Sequence, residues 1–171
     1  SLPMTRPIQT GGGSVAKMPL DFLDSSVVVQ RSHTEAGSEA VNHLLNEPTS
    51  RYFISRLTVV EVQRPFVGKV RAKQVSVDEL GELRHRFVDD VAQRRFIVIR
   101  LTDALYNEAE RLVQRYGPAD GDHLLRTLDA LQIACALETQ RRKGLTHFVS
   151  ADKRQCEAAA QEEFTIINPT L

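Results

Sequence analysis

At 171 residues the chain fits one domain and is long enough to bury a core without disulfides or a structural metal. Hydrophobic residues at 42% and charged residues at 26% exclude a disordered or fibrous chain, and no apolar run approaches the roughly 18–20 residues of a membrane span. The 22 basic and 22 acidic side chains cancel, which gives no direct hint of a polyanionic partner, counts mildly against a nucleic-acid binder and leaves only local charge to read.

Residues 1–17 carry Pro3, Pro7 and Gly11-Gly12-Gly13-Ser14 without apolar periodicity, and are expected to be a flexible arm or an expression remnant. They form no phosphate loop, because Ala16 and Met18 stand where a Gly and a hydroxyl residue would be needed around Lys17. The domain proper is expected over residues 18–171. Its first elements are a strand over Leu20–Leu23, helices over Ser26–Arg31 and Ser38–Leu45, and a strand over Tyr52–Ser55. Thr58 and Glu61 have capping-box spacing at the head of a helix that weakens at Pro65, and Ser76 with Glu79 opens the next helix in the same way.

A β-rich run over Phe96–Leu101 follows, and Thr102 caps a helix that reaches Tyr116 and stops at Gly117-Pro118. The longest helix is expected from His123 to about Arg142. A strand over Thr146–Val149, a helix over Asp152–Gln161 and a last strand over Phe164–Ile167 complete the chain. Strands separated by helices require crossover connections, hence an α/β fold of three layers, α/β/α, around a mostly parallel sheet.

Ligands of such sheets bind beyond the carboxyl ends of the strands. Asp24 ends the first strand, Glu61 lies in the turn after the second, and Asp152 follows the strand Thr146–Val149 by three residues, so three acids share one rim. Each also has a simpler role, as a helix cap or a capping-box partner. Asp129 is harder to explain that way, because its helix carries Leu124, Leu125, Leu128, Leu131, Ile133, Ala134, Cys135 and Leu137; an ion pair with Arg126 is the structural alternative. Four carboxylates in one pocket repel one another unless a cation neutralises them, and an all-oxygen set favours Mg²⁺ or Mn²⁺. Hydrolysis of a phosphodiester is the chemistry such a site serves.

The spare groups point elsewhere. Asp21 is expected at the surface at the wrong end of its strand, Asp103 compensates a helix dipole and Asp122 starts a helix. His33, His43, His85, His123 and His147 have no zinc-ligand spacing, and Ser25-Ser26 lacks the surroundings of a hydrolase nucleophile. Cys135 and Cys156 form neither a CxxC pair nor a disulfide framework, so reduced core thiols in a cytoplasmic protein are expected. Between Arg51 and Lys73 stand Arg51, Arg56, Arg64, Lys69, Arg71 and Lys73 against the single acid Glu61, which makes either a nucleic-acid-binding face or a solvated helix.

Two segments, Phe22-Leu23-Asp24-Ser25-Ser26-Val27-Val28-Val29 and Leu125-Arg126-Thr127-Leu128-Asp129-Ala130-Leu131-Gln132-Ile133-Ala134, resemble the PIN-domain ribonucleases, and among them the VapC-type toxins of toxin–antitoxin pairs. The segments Ser55–Val62 and Phe148–Arg154 agree with that resemblance, which spans Pro19 to Pro169. It implies a five-stranded parallel sheet, Mg²⁺ or Mn²⁺ held by Asp24, Glu61, Asp129 and Asp152 as the catalytic acids, and supporting hydroxyls at Ser25 or Ser26 and at Ser150. It also implies RNA as substrate, a homodimer, and inhibition by a small protein antitoxin. Two other functions compete with an endoribonuclease: a Mg²⁺-dependent phosphohydrolase of small phosphates, and a catalytically silent PIN fold that binds RNA or protein. The first is weakened because Asp24-Ser25-Ser26 lacks the second aspartate of a phosphoaspartyl enzyme.

Overall fold

The computed structural model describes residues 17–32, 38–47, 50–116 and 125–171. The expected arm over residues 1–16, the stop at Gly117-Pro118, and Asp122, His33 and His123 lie outside the described residues. The elements run β1 (Leu20–Leu23), α1 (Ser25–Ser32), α2 (Ser38–Leu45), β2 (Arg51–Ser55), α3 (Arg56–Glu61), α4 (Gln63–Arg71) and α5 (Val77–Ala92). They continue as β3 (Phe96–Ile99), α6 (Asp103–Tyr116), α7 (Thr127–Lys143), β4 (His147–Val149), α8 (Lys153–Gln161) and β5 (Ile166–Ile167).

All strand pairings are parallel, in the order β3-β2-β1-β4-β5. The fold is therefore the expected α/β architecture with a five-stranded sheet. Strand alternation explains why both faces are covered. Phe22, Phe53 and Phe148 stand abreast in the register and point to one face, where they pack with Leu112, Ile133 and Phe164 of the α6–α7–α8 side. Their neighbours Leu23, Ile54 and Val149 point to the other face and meet Val27, Val41, Phe66 and Phe87 of the helices α1, α2, α4 and α5. The Phe22 and Phe148 rings stack with centroids 5.8 Å apart, and Phe164 tilts against Phe148 at 5.5 Å. A bidentate ion pair from Arg31 to Asp90, at 2.9 and 3.1 Å, ties α1 to α5 on the outside.

Several local expectations change. Thr58 does not open its helix: Ser55 is the N-cap of α3, its hydroxyl accepting from the Thr58 amide at 3.2 Å, so Glu61 falls at the last residue of that helix. Pro65 does not end the following helix either. A new helix begins at Gln63, and Pro65 occupies its first turn, where a missing N–H costs nothing, so α4 runs on to Arg71. The Ser76–Glu79 capping box is present in full. Among described residues, α7 begins at Thr127, later than the expected start at His123, and Leu125 and Arg126 precede it in irregular backbone.

Asp21 is a correction of a different kind. It is buried, 3% exposed, because β1 is the central strand and is flanked on both sides. Its Oδ1 lies 2.9 Å from His147 Nδ1 on the neighbouring strand β4. Burial pushes its carboxyl above the ordinary value of 3.8, only partly offset by the His147 contacts. The stability it contributes is complete below that ordinary value and is lost as pH rises through the raised one. Asp21→Asn keeps an acceptor for His147 and removes the charge, so thermal denaturation should find the variant equal to the parent near pH 4 and a few degrees more stable at pH 8, at about 2–4 °C per kcal/mol. A constant difference between those pH values would refute the account.

Candidate active site

The strand order reverses between β1 and β4, and the crevice at their carboxyl ends is where this architecture opens a ligand site. Asp24 stands at that point. Its backbone N–H donates to the Val149 carbonyl at 2.9 Å, which extends the β1–β4 ladder by one step, and its carbonyl accepts from Val27 to start α1. The side chain is buried at 4% exposure. Asp24 Oδ2 accepts from Ser26 Oγ at 2.7 Å and from Ser150 Oγ at 3.0 Å, so the hydroxyls expected beside the first and last acids both reach the first. Burial raises the Asp24 carboxyl above its usual range, while the Ser26 and Ser150 hydroxyls pull the other way.

Asp129 enters from α7. The stretch Ala130 through Ala136 of that helix is enclosed throughout, and Asp129 stands half-buried at its mouth. The later helix start places Asp129 in the first turn, where its carboxylate also bonds the backbone N–H of Arg126, so this acid too serves its helix end. Arg126 itself is exposed and lends little charge, so the alternative of an Arg126 ion pair for Asp129 is not realised. Burial, then the charges of Asp24 and Asp152, push the Asp129 carboxyl up to about 6.

Glu61 arrives from the end of α3. Burial raises its carboxyl, the Gln132 amide and the Ser25 hydroxyl bond its charged form, and the charge of Asp24 raises it further. Asp152 is the N-cap of α8, its Oδ1 accepting from the amides of Arg154 at 2.9 Å and Gln155 at 3.4 Å. Its capping role is thus realised, and it acts on the cluster through its charge on Asp129. The four acids belong to one end of the sheet, and Asp24 with Glu61, and Asp24 and Asp152 with Asp129, are close enough to perturb each other. Among the described residues no three acidic, histidine or cysteine side chains already form a metal cage.

Two residues without an assigned role in the sequence belong to the site. Gln132 and Gln155 are both about 1% exposed. Gln155 Nε2 lies 3.5 Å from Asp24 Oδ1 and 3.4 Å from the Asp129 carbonyl, contacts at the long limit of hydrogen bonding. Gln132 lies one turn beyond Asp129 on the same buried helix, and a polar side chain in such a helix was the signal that could have marked it, as it marked Asp129.

The basic segment divides. Arg51 lies at the amino end of β2, away from the rim. Arg56, Arg64 and Arg71 are exposed at helical spacing along α3 and α4 and have no ion-pair partner among the described residues, with Val60 and Val67 exposed between them. Cys135 is buried and Cys156 half-buried, both as free thiols, the latter lying 3.3 Å from the Ser150 carbonyl.

An open parallel sheet with a buried carboxylate at its switch point, flanked by further acids from three helices, defines a class of acid-lined α/β domain. The chain belongs to the PIN-domain family, whose model matches residues 22–161. No curated protein matches it by sequence. Among solved structures it is similar to VapC20 of Mycobacterium tuberculosis, a toxin that cleaves the sarcin-ricin loop, at a TM-score of 0.59 and 14% identity over 87% of this chain and 99% of that one. It is also similar to FitAcB of Neisseria gonorrhoeae, at 0.58 and 16% over 87% and 97%. VapBC2 of Rickettsia felis, solved on a DNA fragment from its promoter, gives 0.54 and 14% over 87% and 98%.

Proposed function

We propose that this chain is a divalent-metal-dependent endoribonuclease and the toxin of a toxin–antitoxin pair. The observation that carries the reading is a buried carboxylate, Asp24, that shares its end of the sheet with Glu61 and Asp129, while among the described residues no lysine, arginine or histidine forms an ion pair with any of the three. Buried charges of one sign persist when a cation completes the site. The donors are all oxygen, which fits Mg²⁺ or Mn²⁺ and not a soft-ligand zinc site.

Asp24, Glu61 and Asp129 are the residues that would hold the ion, with Asp152 at the edge, its Oδ1 already engaged as a helix cap. When bound, such an ion lowers the pKa of water and offsets charge developing on the phosphoryl oxygens. The chain itself supplies the orientation. Ser26 and Ser150 fix the Asp24 carboxylate, and Gln132 and Ser25 fix that of Glu61, while Asp129, whose carboxyl is pushed up to about 6 by burial and by the charges of Asp24 and Asp152, must be ionised to hold the ion.

RNA as the substrate is supported by the exposed arginines Arg56, Arg64 and Arg71 on the helices adjoining Glu61, which have no ion-pair partner among the described residues and offer phosphate contacts despite the zero net charge of the chain. Likeness to the VapC20 toxin and to the VapBC2 assembly supports a small antitoxin partner, and a homodimer is part of the same reading. The test is incubation of the purified chain with total RNA. Discrete fragments should form with Mn²⁺ or Mg²⁺, vanish with a chelator and return when the metal is restored. RNA binding without cleavage would favour the silent module, and turnover of p-nitrophenyl phosphate with intact RNA would favour the phosphohydrolase.

A further inference from the structure

Gln132 occupies a place where its neighbours are apolar or small: Ala130, Leu131, Ile133, Ala134, Cys135 and Ala136 are all buried on α7. A hydrophobic side chain would be the stable choice there, yet an amide stands in the interior and crosses to α3. Its Nε2 donates to Glu61 Oε2 at 2.7 Å and to Thr58 Oγ1 at 2.9 Å. Thr58 Oγ1 lies in turn 3.4 Å from the hydroxyl of Ser55, the cap of α3. Both N–H groups of the amide are therefore committed, one to the acid and one to the residue a turn before it.

The orientation of the amide follows from its partners. A carboxylate only accepts, so the nitrogen and not the oxygen must face Glu61. The consequence is that Gln132 Oε1 is buried with no partner among the described residues. An unmade buried hydrogen bond is a net cost to the fold. Gln132 thus gains two bonds that aim another residue, at the expense of one of its own.

We propose that Gln132 is a positioning residue: it holds the ionised Glu61 carboxylate in an orientation that lets it act with Asp24, and so sets the affinity of the site for its divalent ion. The inference rests on the metal-dependent reading above. It links α3 to α7, the two elements that deliver Glu61 and Asp129, through one side chain, and it places a determinant of the metal site outside the carboxylates themselves.

Isothermal calorimetry with Mn²⁺ on the full chain tests it, using the parent, Gln132→Met, Glu61→Ala and the double variant. Gln132→Met keeps the length and removes the donors. Mn²⁺ affinity should fall about 10–100-fold, the usual range for a lost outer partner of a metal ligand. The melting temperature should hold or rise, and the double variant should bind no more weakly than Glu61→Ala alone. Parental Mn²⁺ affinity in Gln132→Met, while Glu61→Ala weakens binding, would overturn this inference and leave the metal reading intact. A parent chain that binds no Mn²⁺ would overturn both.

Discussion

Asp24→Asn should abolish metal-dependent RNA cleavage and at the same time make the metal-free protein more stable. The loss should reach at least about 10²–10³-fold, the scale of removing one preorganised electrostatic group from an active site. The gain has a separate origin. Asp24 is buried among Leu23, Val27 and the sheet, its carboxyl is raised by desolvation, and the two serine hydroxyls only partly compensate its charge. The amide that replaces it still accepts from Ser26 and Ser150, and its new N–H gains an acceptor once the Gln155 amide turns over, because Gln155 Nε2 faces Asp24 Oδ1 at 3.5 Å while its Oε1 is buried without a partner among the described residues. Differential scanning calorimetry in chelator should show the variant melting a few degrees above the parent, at about 2–4 °C per kcal/mol. In excess Mn²⁺ the order should invert, since only the parent gains binding energy, about 2.7 kcal/mol at a hundred times Kd. A variant that melts lower in chelator would show that the Asp24 charge stabilises the fold and is not held at its expense. A site of this kind trades stability for function, which is the usual direction for strained or uncompensated groups.

The second large effect is on pH. Metal binding requires ionised ligands. With its carboxyl pushed up to about 6, Asp129 is protonated in acid and ionised above neutrality, and Asp24 and Glu61 are raised in the same direction. Mn²⁺ affinity measured by calorimetry should therefore rise at least tenfold per unit as pH increases toward 6, then flatten by pH 8. Proton release measured in buffers of different ionisation enthalpy should follow the same curve. Asp129→Asn should bind more weakly at pH 8 and show a shallower slope below 6. A flat affinity from pH 5 to 8 would mean that the three acids do not hold the ion.

How far the sequence carries depends on the range of the interaction. The strands could be read because Phe22-Leu23, Phe53-Ile54 and Phe148-Val149 are short apolar runs bounded by turns and helices, and that pattern is local. The α/β class followed from their alternation with helices. Family membership was legible too, because the segments around Asp24 and Asp129 resemble that family and lie within the matched range. Helix starts were less secure. Ser55 and Thr58 both have the chemistry of a cap, and the choice between them is made by where β2 stops pairing with β3, at Ser55 opposite Ile99.

What only the tertiary structure decided concerns contacts over long separations in the chain. Asp21 resembles a surface acid until β2 and β4 close on both sides of β1 and bury it against His147, 126 residues away. Ser150 reaches Asp24 across the same separation, and Gln132 reaches Glu61 across 71 residues. No local propensity encodes such pairs, because each partner alone has an adequate bland role on the surface or at a helix end. By itself the sequence determined the strands, the fold class and the family, and pointed to four acids at one rim. The fold decided which of them are buried, which two glutamines brace them, and that Asp152 is already engaged as a cap, since burial and mutual charge exist only after distant segments have met.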